Sequence, residues 1–178
     1  AVGGYVAGES VVVIGPGPVG LMTVQACKAL GADPVVLIGT RQNRLEMGAR
    51  LGADHVVNAR EEDPVAATKR LVGSRGADLV IEASGNMDTP QQCVQLVKRG
   101  GKILFLAFYP GPVTFDLSSA IREDVTLYTT RGSAASSILP PRRTSDAQRW
   151  RIWRRCGAIP TKASGRCAVG RNTLPTPR

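Results

Sequence analysis

Three glycines carry the chemistry that this sequence suggests most clearly. Gly15, Gly17 and Gly20 have the spacing G-x-G-x-x-G. Residues 11–14, Val-Val-Val-Ile, are typical of a buried strand, and apolar residues at helical spacing follow the glycines as far as Gly31. A strand, a tight glycine turn and a helix form the arrangement that binds a dinucleotide pyrophosphate at the helix N-terminus. The flanking elements make this pattern more specific than glycines alone.

Each glycine has its own predicted role. Gly15 permits the tight turn, Gly17 lets the backbone approach a phosphate without a Cβ, and Gly20 lets the helix pack closely on the strand. The helix N-terminus adds free N–H groups and a partial positive charge. We therefore predict that a nicotinamide dinucleotide binds to the turn and the first helical residues, namely Gly15, Gly17, Pro18, Val19 and Gly20.

Short apolar runs and helical patterns alternate along the first 131 residues. Strands are predicted over 11–14, 35–38, 55–57, 78–81, 103–108 and 125–129, with helices over 19–30, 43–51, 63–73 and 88–99. Asp63 and Pro64 should start the third helix, and Lys98 and Arg99 should lie at the carboxyl end of the fourth. Strands separated by single helices pair in parallel through right-handed crossovers. The predicted fold is α/β, a doubly wound six-stranded parallel sheet of the Rossmann type, ordered 3-2-1-4-5-6.

The net charge of +9 comes from one end of the chain. Residues 1–138 contain as many acidic as basic residues, whereas residues 139–178 contain ten Lys and Arg against the single acid Asp146. We therefore divide the chain into a dinucleotide-binding Rossmann domain, 1–132, and a basic, Pro- and Arg-rich tail, 133–178.

Two explanations of the tail remain open. Its high Arg and Pro content with few aliphatic residues does not build a core, so we expect it to be irregular: either disordered or the product of a frameshift near residue 132. Translating the coding DNA in the other two frames would test the frameshift. The alternative is a nucleic-acid-binding appendage, in which the Arg-rich run 149–155 contacts phosphates while Trp150 and Trp153 stack on bases. We disfavour it because no known nucleic-acid-binding pattern accompanies the run.

Composition indicates a cytoplasmic protein without a membrane anchor. No apolar run approaches the ~20 residues that span a bilayer, and no signal peptide is recognisable. The four cysteines lack C-x-x-C spacing, and we expect buried, reduced thiols at Cys27 and Cys93. The other two cysteines are Cys156 and Cys167. Because the chain does not begin with Met, we expect it to start inside a longer protein.

Several motifs in order resemble the cofactor-binding domain of the medium-chain dehydrogenase/reductase family, in its zinc-dependent alcohol and polyol (sorbitol-like) dehydrogenase branch. The resemblance covers residues 1–132 and rests on 12–20, Arg44-Leu45 with 51–54, 76–85 and 98–103. It implies an oxidoreductase that transfers hydride between an alcohol or sugar alcohol and NAD(P). A zinc-free quinone-type reductase of the same superfamily is the alternative.

In this family, an upstream catalytic domain provides a Cys, a His and either an acid or a second Cys as ligands to a catalytic zinc. By the resemblance, none of those ligands is in this chain, and its only histidine, His55, begins a strand remote from the nicotinamide. We therefore expect no catalytic residue and no metal ligand in this chain, and no turnover by the chain in isolation.

The end of the second predicted strand bears on the choice between NAD and NADP. NAD enzymes place an Asp or Glu there, about 20 residues beyond the glycine turn, to bind the ribose 2′-hydroxyl. This chain has Gly39 instead, followed by Thr40 and Arg41, which can bind a 2′-phosphate. Gly-Thr-Arg is similar to the Gly-Ser-Arg of NADP-using secondary alcohol dehydrogenases. Arg44 also matches a family position, but that position distinguishes NADP from NAD less clearly. We predict NADP over NAD, with Gly39→Asp reversing the preference.

The resemblance also implies a nicotinamide-binding side and an oligomer contact. The residues that it assigns to the nicotinamide side are Ser84, Gly85, Leu106, Ala107, Phe108 and Thr130. The run Val113–Phe115 matches an edge strand through which family members often dimerise, so a homo-oligomer through this edge is expected.

Overall fold

The computed structural model describes residues 7–130, and the predicted tail, 133–178, lies outside them. Six parallel strands form one sheet in the order β3-β2-β1-β4-β5-β6, which confirms the predicted fold. The strands are β1 Val11–Ile14, β2 Val35–Gly39, β3 His55–Asn58, β4 Ala77–Glu82, β5 Val97–Phe105 and β6 Thr126–Thr129. The helices are α1 Pro18–Ala29, α2 Gln42–Arg50, α3 Pro64–Val72, α4 Thr89–Leu96 and α5 Leu117–Arg122.

The central strands are apolar throughout because helices cover both faces of the sheet. Every residue of β1 and β2 is buried. Val12 and Ile14 of β1 belong to the core cluster that includes residues of α3 and α4, whereas Val11 and Val13 belong to the cluster that includes residues of α1 and α2. This alternation is the two-residue period of a strand, and it fixes which helices lie on each face.

The start of α3 agrees with the prediction from sequence. The Asp63 carboxylate accepts hydrogen bonds from the backbone N–H groups of Val65, at 3.4 Å, and Ala66, at 2.9 Å. Pro64 occupies the first turn, where its missing N–H costs no hydrogen bond.

The predicted end of α4 is wrong. The helix stops at Leu96, and Lys98 and Arg99 lie in β5. The Lys98 ammonium forms an ion pair with Asp78 on the neighbouring strand β4. A bulge in β5 accommodates this pairing, because Ala77 pairs with Val97 whereas Leu79 pairs with Lys102. The segment that was predicted to end the helix is therefore part of the sheet and pairs with β4.

Val113–Phe115, the run expected to form an edge strand in a dimer, is not a strand in the single chain. These residues lie between β5 and α5 outside the sheet, whose edges are β3 and β6. Phe115 instead packs beside Phe105, with 6.4 Å between ring centroids, and both rings contact the core. Dimerisation through this segment stays a prediction.

Two smaller expectations are confirmed. Cys27 and Cys93 are buried free thiols, and burial raises both pKa values, that of Cys27 to about 12. The other two cysteines lie outside the described residues. His55 is exposed at the start of β3.

Among residues 7–130, no helix has the length and apolarity that crossing a membrane requires.

A polar cluster joins three strands at the amino edge of the sheet. The Asp78 carboxylate accepts hydrogen bonds from the Ser10 backbone N–H, at 2.9 Å, and from the Ser10 hydroxyl, at 2.6 Å, and it pairs with Lys98. Burial alone would raise the Asp78 pKa, but these partners hold it down at about 2, compared with an ordinary value of 3.8. The charged carboxylate therefore ties the start of β1 to β4 and β5.

We expect Asp78→Asn to lower the free energy of unfolding at neutral pH by about 1–3 kcal/mol, the range for losing a partner of buried polar groups. The native pKa is below the ordinary one, so this stabilisation is present above pH 3.8 and is lost as the pH falls through about 2. Denaturant unfolding at several pH values should therefore show the difference between parent and variant shrinking in acid. The exposed Asp33→Asn is the control, and a pH-independent difference would contradict the assignment.

Candidate active site: a cofactor cleft

The residues predicted to bind the cofactor follow the carboxyl ends of five strands. Since the strands are parallel, these ends lie along one edge of the sheet. The chain leaves β3 at one edge and returns with β4 beside β1, so β1 and β4 flank the topological switch point. Crevices at such points are where open α/β sheets bind ligands. His55, at the amino end of β3, lies at the opposite edge.

A cavity of about 370 Å³ lies at this switch point. It brings together Gly15, Gly39, Thr40 and Ser84 from the ends of β1, β2 and β4. The other predicted residues are not in its lining: Gly17, Pro18, Val19, Gly20, Arg41, Arg44, Gly85, Leu106, Ala107, Phe108 and Thr130.

Four polar residues of the cavity wall were not predicted from the sequence: Asn86, Asp88, Thr89 and Gln92. They belong to the turn after β4 and to α4 at its start. The signal that could have found them is the pairing of β4 with β1, because it carries the loop after β4 to the glycine turn.

Close backbone packing explains two of the three motif glycines. Gly15 has φ +103°, and a Cβ on it would lie 2.7 Å from the Ser84 nitrogen. A Cβ on Gly20 would overlap the carbonyl oxygen of Gly15, so α1 sits directly on the turn. Both positions therefore require glycine even in the absence of a ligand.

Gly17 is different. Its φ is −81°, an ordinary value for any residue, and a Cβ on it would have no atom within 4 Å. Neither conformation nor packing against the described residues requires glycine at this position. Gly17 is also the N-cap of α1, which has no side-chain cap and no acidic residue in its first turn. The open space thus lies where backbone N–H groups and the helix dipole favour an anion.

The end of β2 combines exposed, positively charged side chains with a glycine, Gly39, whose surroundings leave no room for a side chain. Thr40, Arg41 and Arg44 are exposed, and none of the ion pairs within residues 7–130 involves either arginine. Arg41 is the N-cap residue of α2. Gly39, in contrast, is buried, and a Cβ on it would lie 2.5 Å from Cδ of Pro16. The expectation that Gly39→Asp alone reverses the cofactor preference therefore needs revision.

Glu82, at the carboxyl end of β4, is fully buried and organises the turn that follows. One carboxylate oxygen accepts hydrogen bonds from the Ser84 N–H, at 2.8 Å, from the Thr89 hydroxyl, at 3.0 Å, and from the Ser84 hydroxyl. The same oxygen accepts from the Gly85 N–H at 3.2 Å. These donors replace the water that a buried carboxylate loses.

A tyrosine joins this cluster to the loop after β5. The Tyr109 hydroxyl donates to the second Glu82 oxygen at 2.7 Å. Burial and this hydrogen bond to a carboxylate raise the pKa of Tyr109, so the phenol keeps its proton. Glu82 thereby holds two loops together whose residues the resemblance assigns to the nicotinamide side.

The two loops also meet directly. A Cβ on Gly85, which has φ +71°, would lie 2.9 Å from the carbonyl oxygen of Phe108. Leu106 and Ala107 are half-buried, whereas the Phe108 side chain is 81% exposed. Thr130 follows the last residue of β6 and is half-buried. The backbone contact between Gly85 and Phe108 therefore sets the spacing of this side of the cleft together with the hydrogen bonds of Glu82.

The described residues contain no group of three or more His, Cys, Asp or Glu side chains arranged to hold a metal ion. The carboxylates of Asp54 and Asp78, for example, are each already paired with a lysine. This part of the chain therefore does not fit the zinc site that the resemblance implies for the complete enzyme.

The fold, the glycine turn and the switch-point cleft define a dinucleotide-binding α/β domain. Residues 18–145 match the family of zinc-binding dehydrogenases, so the chain belongs to that family. The match runs beyond residue 132, where we expect the resemblance to end, and into residues outside the described part.

Known relatives agree with this assignment. The chain is 38% identical over 122 residues to the zinc-type alcohol dehydrogenase-like protein YdjJ of Escherichia coli, covering 68% of this chain and 35% of that protein. It matches the structure of alcohol dehydrogenase TADH from Thermus sp. ATN1 with TM-score 0.66 and 36% identity, covering 70% and 36% of the two chains. The matched part is thus about a third of each relative.

A third relative is a solved structure that contains a cofactor. It is a zinc-binding dehydrogenase from Sinorhizobium meliloti bound to NADP, with TM-score 0.67 and 29% identity, covering 71% of this chain and 38% of that one. The family thus includes a member that binds the phosphorylated dinucleotide.

We expect Glu82→Leu to lower the free energy of unfolding by more than the roughly 1–3 kcal/mol of one unpaired buried donor, since several donors lose their acceptor together. Glu82→Gln should lower the free energy of unfolding less than Glu82→Leu, because its amide keeps one acceptor oxygen. Tyr109→Phe should lower it less than Glu82→Gln. Denaturant unfolding measures all three, with the exposed Glu46→Leu as the control. The role assigned to Glu82 fails if Glu82→Leu is as stable as that control.

Proposed function

We propose that this chain is the nicotinamide-dinucleotide-binding part of a zinc-type alcohol or polyol dehydrogenase, and that it prefers NADP to NAD. Because the matched segment is about a third of the relatives' length, the activity and the substrate of the whole protein belong to this proposal. We further propose that the metal ligands lie outside residues 7–130 and that this chain alone does not turn over substrate.

The observation that carries the proposal is the open space at Gly17. Packing accounts for Gly15 and Gly20, but nothing in the described part of the chain accounts for a glycine at position 17. A phosphate that lies against the backbone at the start of α1 does account for it. Because the motif is G-x-G-x-x-G, the expected anion is the pyrophosphate of a dinucleotide.

The preference for NADP rests on charge at the end of β2. Position 39 carries no carboxylate that would repel a 2′-phosphate, and the next residues are a hydroxyl donor, Thr40, and a cation, Arg41. The N-terminus of α2 follows directly, with no acid in its first turn. An anion bound there would meet Arg41 without competition from any ion pair among the described residues.

When bound, the nicotinamide ring supplies the hydride acceptor or donor of an alcohol oxidation or carbonyl reduction. The role of this chain in that reaction is orientation. Ser84 and Gly85, with Leu106, Ala107 and Phe108, would flank the ring on the side held by Glu82 and Tyr109. Holding the ring in one orientation lowers the entropic cost of reaching the reactive geometry.

Our first expectation concerns Gly17→Val. Its side chain enters open space, so the thermal midpoint should stay close to that of the parent, while NADPH and NADH should both bind at least about tenfold more weakly because the pyrophosphate loses its place. Gly111→Val is the matched control, since residue 111 also has ordinary φ and open space around a Cβ. Fluorescence titration and thermal unfolding measure the two effects. Unchanged affinity in Gly17→Val would refute dinucleotide binding at this turn.

The second expectation concerns Arg41→Ala. Loss of a charge-assisted hydrogen bond to the 2′-phosphate should weaken NADPH binding by about 1.5–3 kcal/mol and leave NADH binding nearly unchanged. Arg50→Ala removes the same charge from the opposite end of α2 and should affect neither cofactor. Parallel titrations of the three proteins measure this. Equal affinity for both cofactors in the parent, insensitive to Arg41→Ala, would refute the NADP preference.

A further inference from the structure

Pro16 and Gly39 meet where β1 and β2 end. Both are buried and both line the cavity. A Cβ on residue 39 would lie 2.5 Å from Cδ of Pro16 and closer still to Cγ, whereas ordinary contacts of a Cβ are 3.4–4 Å. The proline ring therefore occupies the space that any side chain at position 39 would need first.

The backbone at residue 39 does not itself require glycine. Gly39 ends β2 in extended conformation and is not among the residues with positive φ. After the two ring atoms, the nearest atom to a Cβ is Cδ2 of Leu45, at 3.3 Å. That atom ends a flexible side chain and needs to move by only a few tenths of an ångström. The ring of Pro16 is thus the main obstacle.

The turn that contains Pro16 cannot easily shift away from residue 39. Gly15 is so close to the Ser84 backbone that no Cβ fits between them, and α1 packs through Gly20 onto the same turn. The Gly15 N–H also donates to the carbonyl of Ile38, at 2.9 Å, which fixes the turn against β2 next to Gly39. The turn is therefore held from the side of β4, from α1 and from β2.

We propose that Pro16 is a specificity-determining residue of the cofactor site: its ring excludes a side chain at position 39, and with it the carboxylate that would bind an unphosphorylated ribose. This rests on the proposed function, since the end of β2 is where dinucleotide-binding domains place that acid. The cofactor preference then depends on two positions together. Restoring a carboxylate requires removal of the ring as well as replacement of the glycine.

The test is a double-mutant cycle on the 178-residue chain, with Gly39→Asp, Pro16→Ala and the two combined. NADH and NADPH are titrated into each protein. Gly39→Asp alone should not gain NADH affinity. The double variant should bind NADH about tenfold or more tightly than Gly39→Asp does, as a hydrogen bond to a charged group implies. Equal NADH affinity of Gly39→Asp with and without the ring would overturn the proposal.

A second cycle tests the steric contact without charge and without a cofactor. Gly39→Ala should lower the thermal midpoint by about 5 °C or more when Pro16 is present, and by much less when Pro16 is Ala. Gly111→Ala controls for loss of a glycine. Equal destabilisation in both backgrounds would refute the exclusion. Failure of every protein to bind either dinucleotide would refute the proposed function, while this second cycle would still decide whether Pro16 blocks position 39.

Discussion

The backbone of residue 15 approaches Ser84 so closely that a Cβ at position 15 would lie 2.7 Å from the Ser84 nitrogen. This approach brings the turn after β1 against the turn after β4, the two strands that flank the switch point. Gly20 and Gly39 pack onto the same turn from α1 and β2. The shape of the cleft thus follows from two contacts between backbone atoms, at Gly15 and at Gly20, and from one contact of backbone with the Pro16 ring, at Gly39.

The two sides of the cleft carry opposite charge. On one side lie the N-terminus of α1, which has no side-chain cap, and Arg41, which joins none of the ion pairs within residues 7–130; both favour an anion. On the other side lies a buried carboxylate, Glu82, with hydrogen-bond donors around both of its oxygens. Because those donors come from the turn after β4, from the first residue of α4 and from the loop after β5, the same hydrogen bonds that stabilise the charge also hold the two loops. The acid therefore serves positioning rather than binding of phosphate.

Local sequence signals predicted most of the fold. The errors occur where contacts between residues distant in sequence determine the secondary structure. The strands and the Asp63–Pro64 helix start are encoded by neighbouring residues, so the sequence sufficed there. Lys98 lies just before a Gly-Gly pair, which is typical of the end of a helix, but in the structure it lies in β5 and pairs with Asp78, a residue distant in sequence. The role of Glu82 had one signal in the sequence, an acid that directly follows the apolar run Leu-Val-Ile at 79–81. No signal in the sequence indicated the contact of Pro16 with residue 39, since this contact depends on the spacing of β1 and β2.

The glycines of the cleft differ in what they reveal about function. A domain that bound nothing would still need glycine at position 15, for its φ of +103° and its contact with Ser84, and at position 20, for its contact with the carbonyl of Gly15. At position 39 it would need glycine for as long as proline stood at position 16. Of these four glycines, only Gly17 combines ordinary backbone conformation with open space, so packing among the described residues does not explain its identity. In a G-x-G-x-x-G turn built like this one, the second glycine is therefore the position whose residue type indicates a bound phosphate, while the first and third indicate the fold.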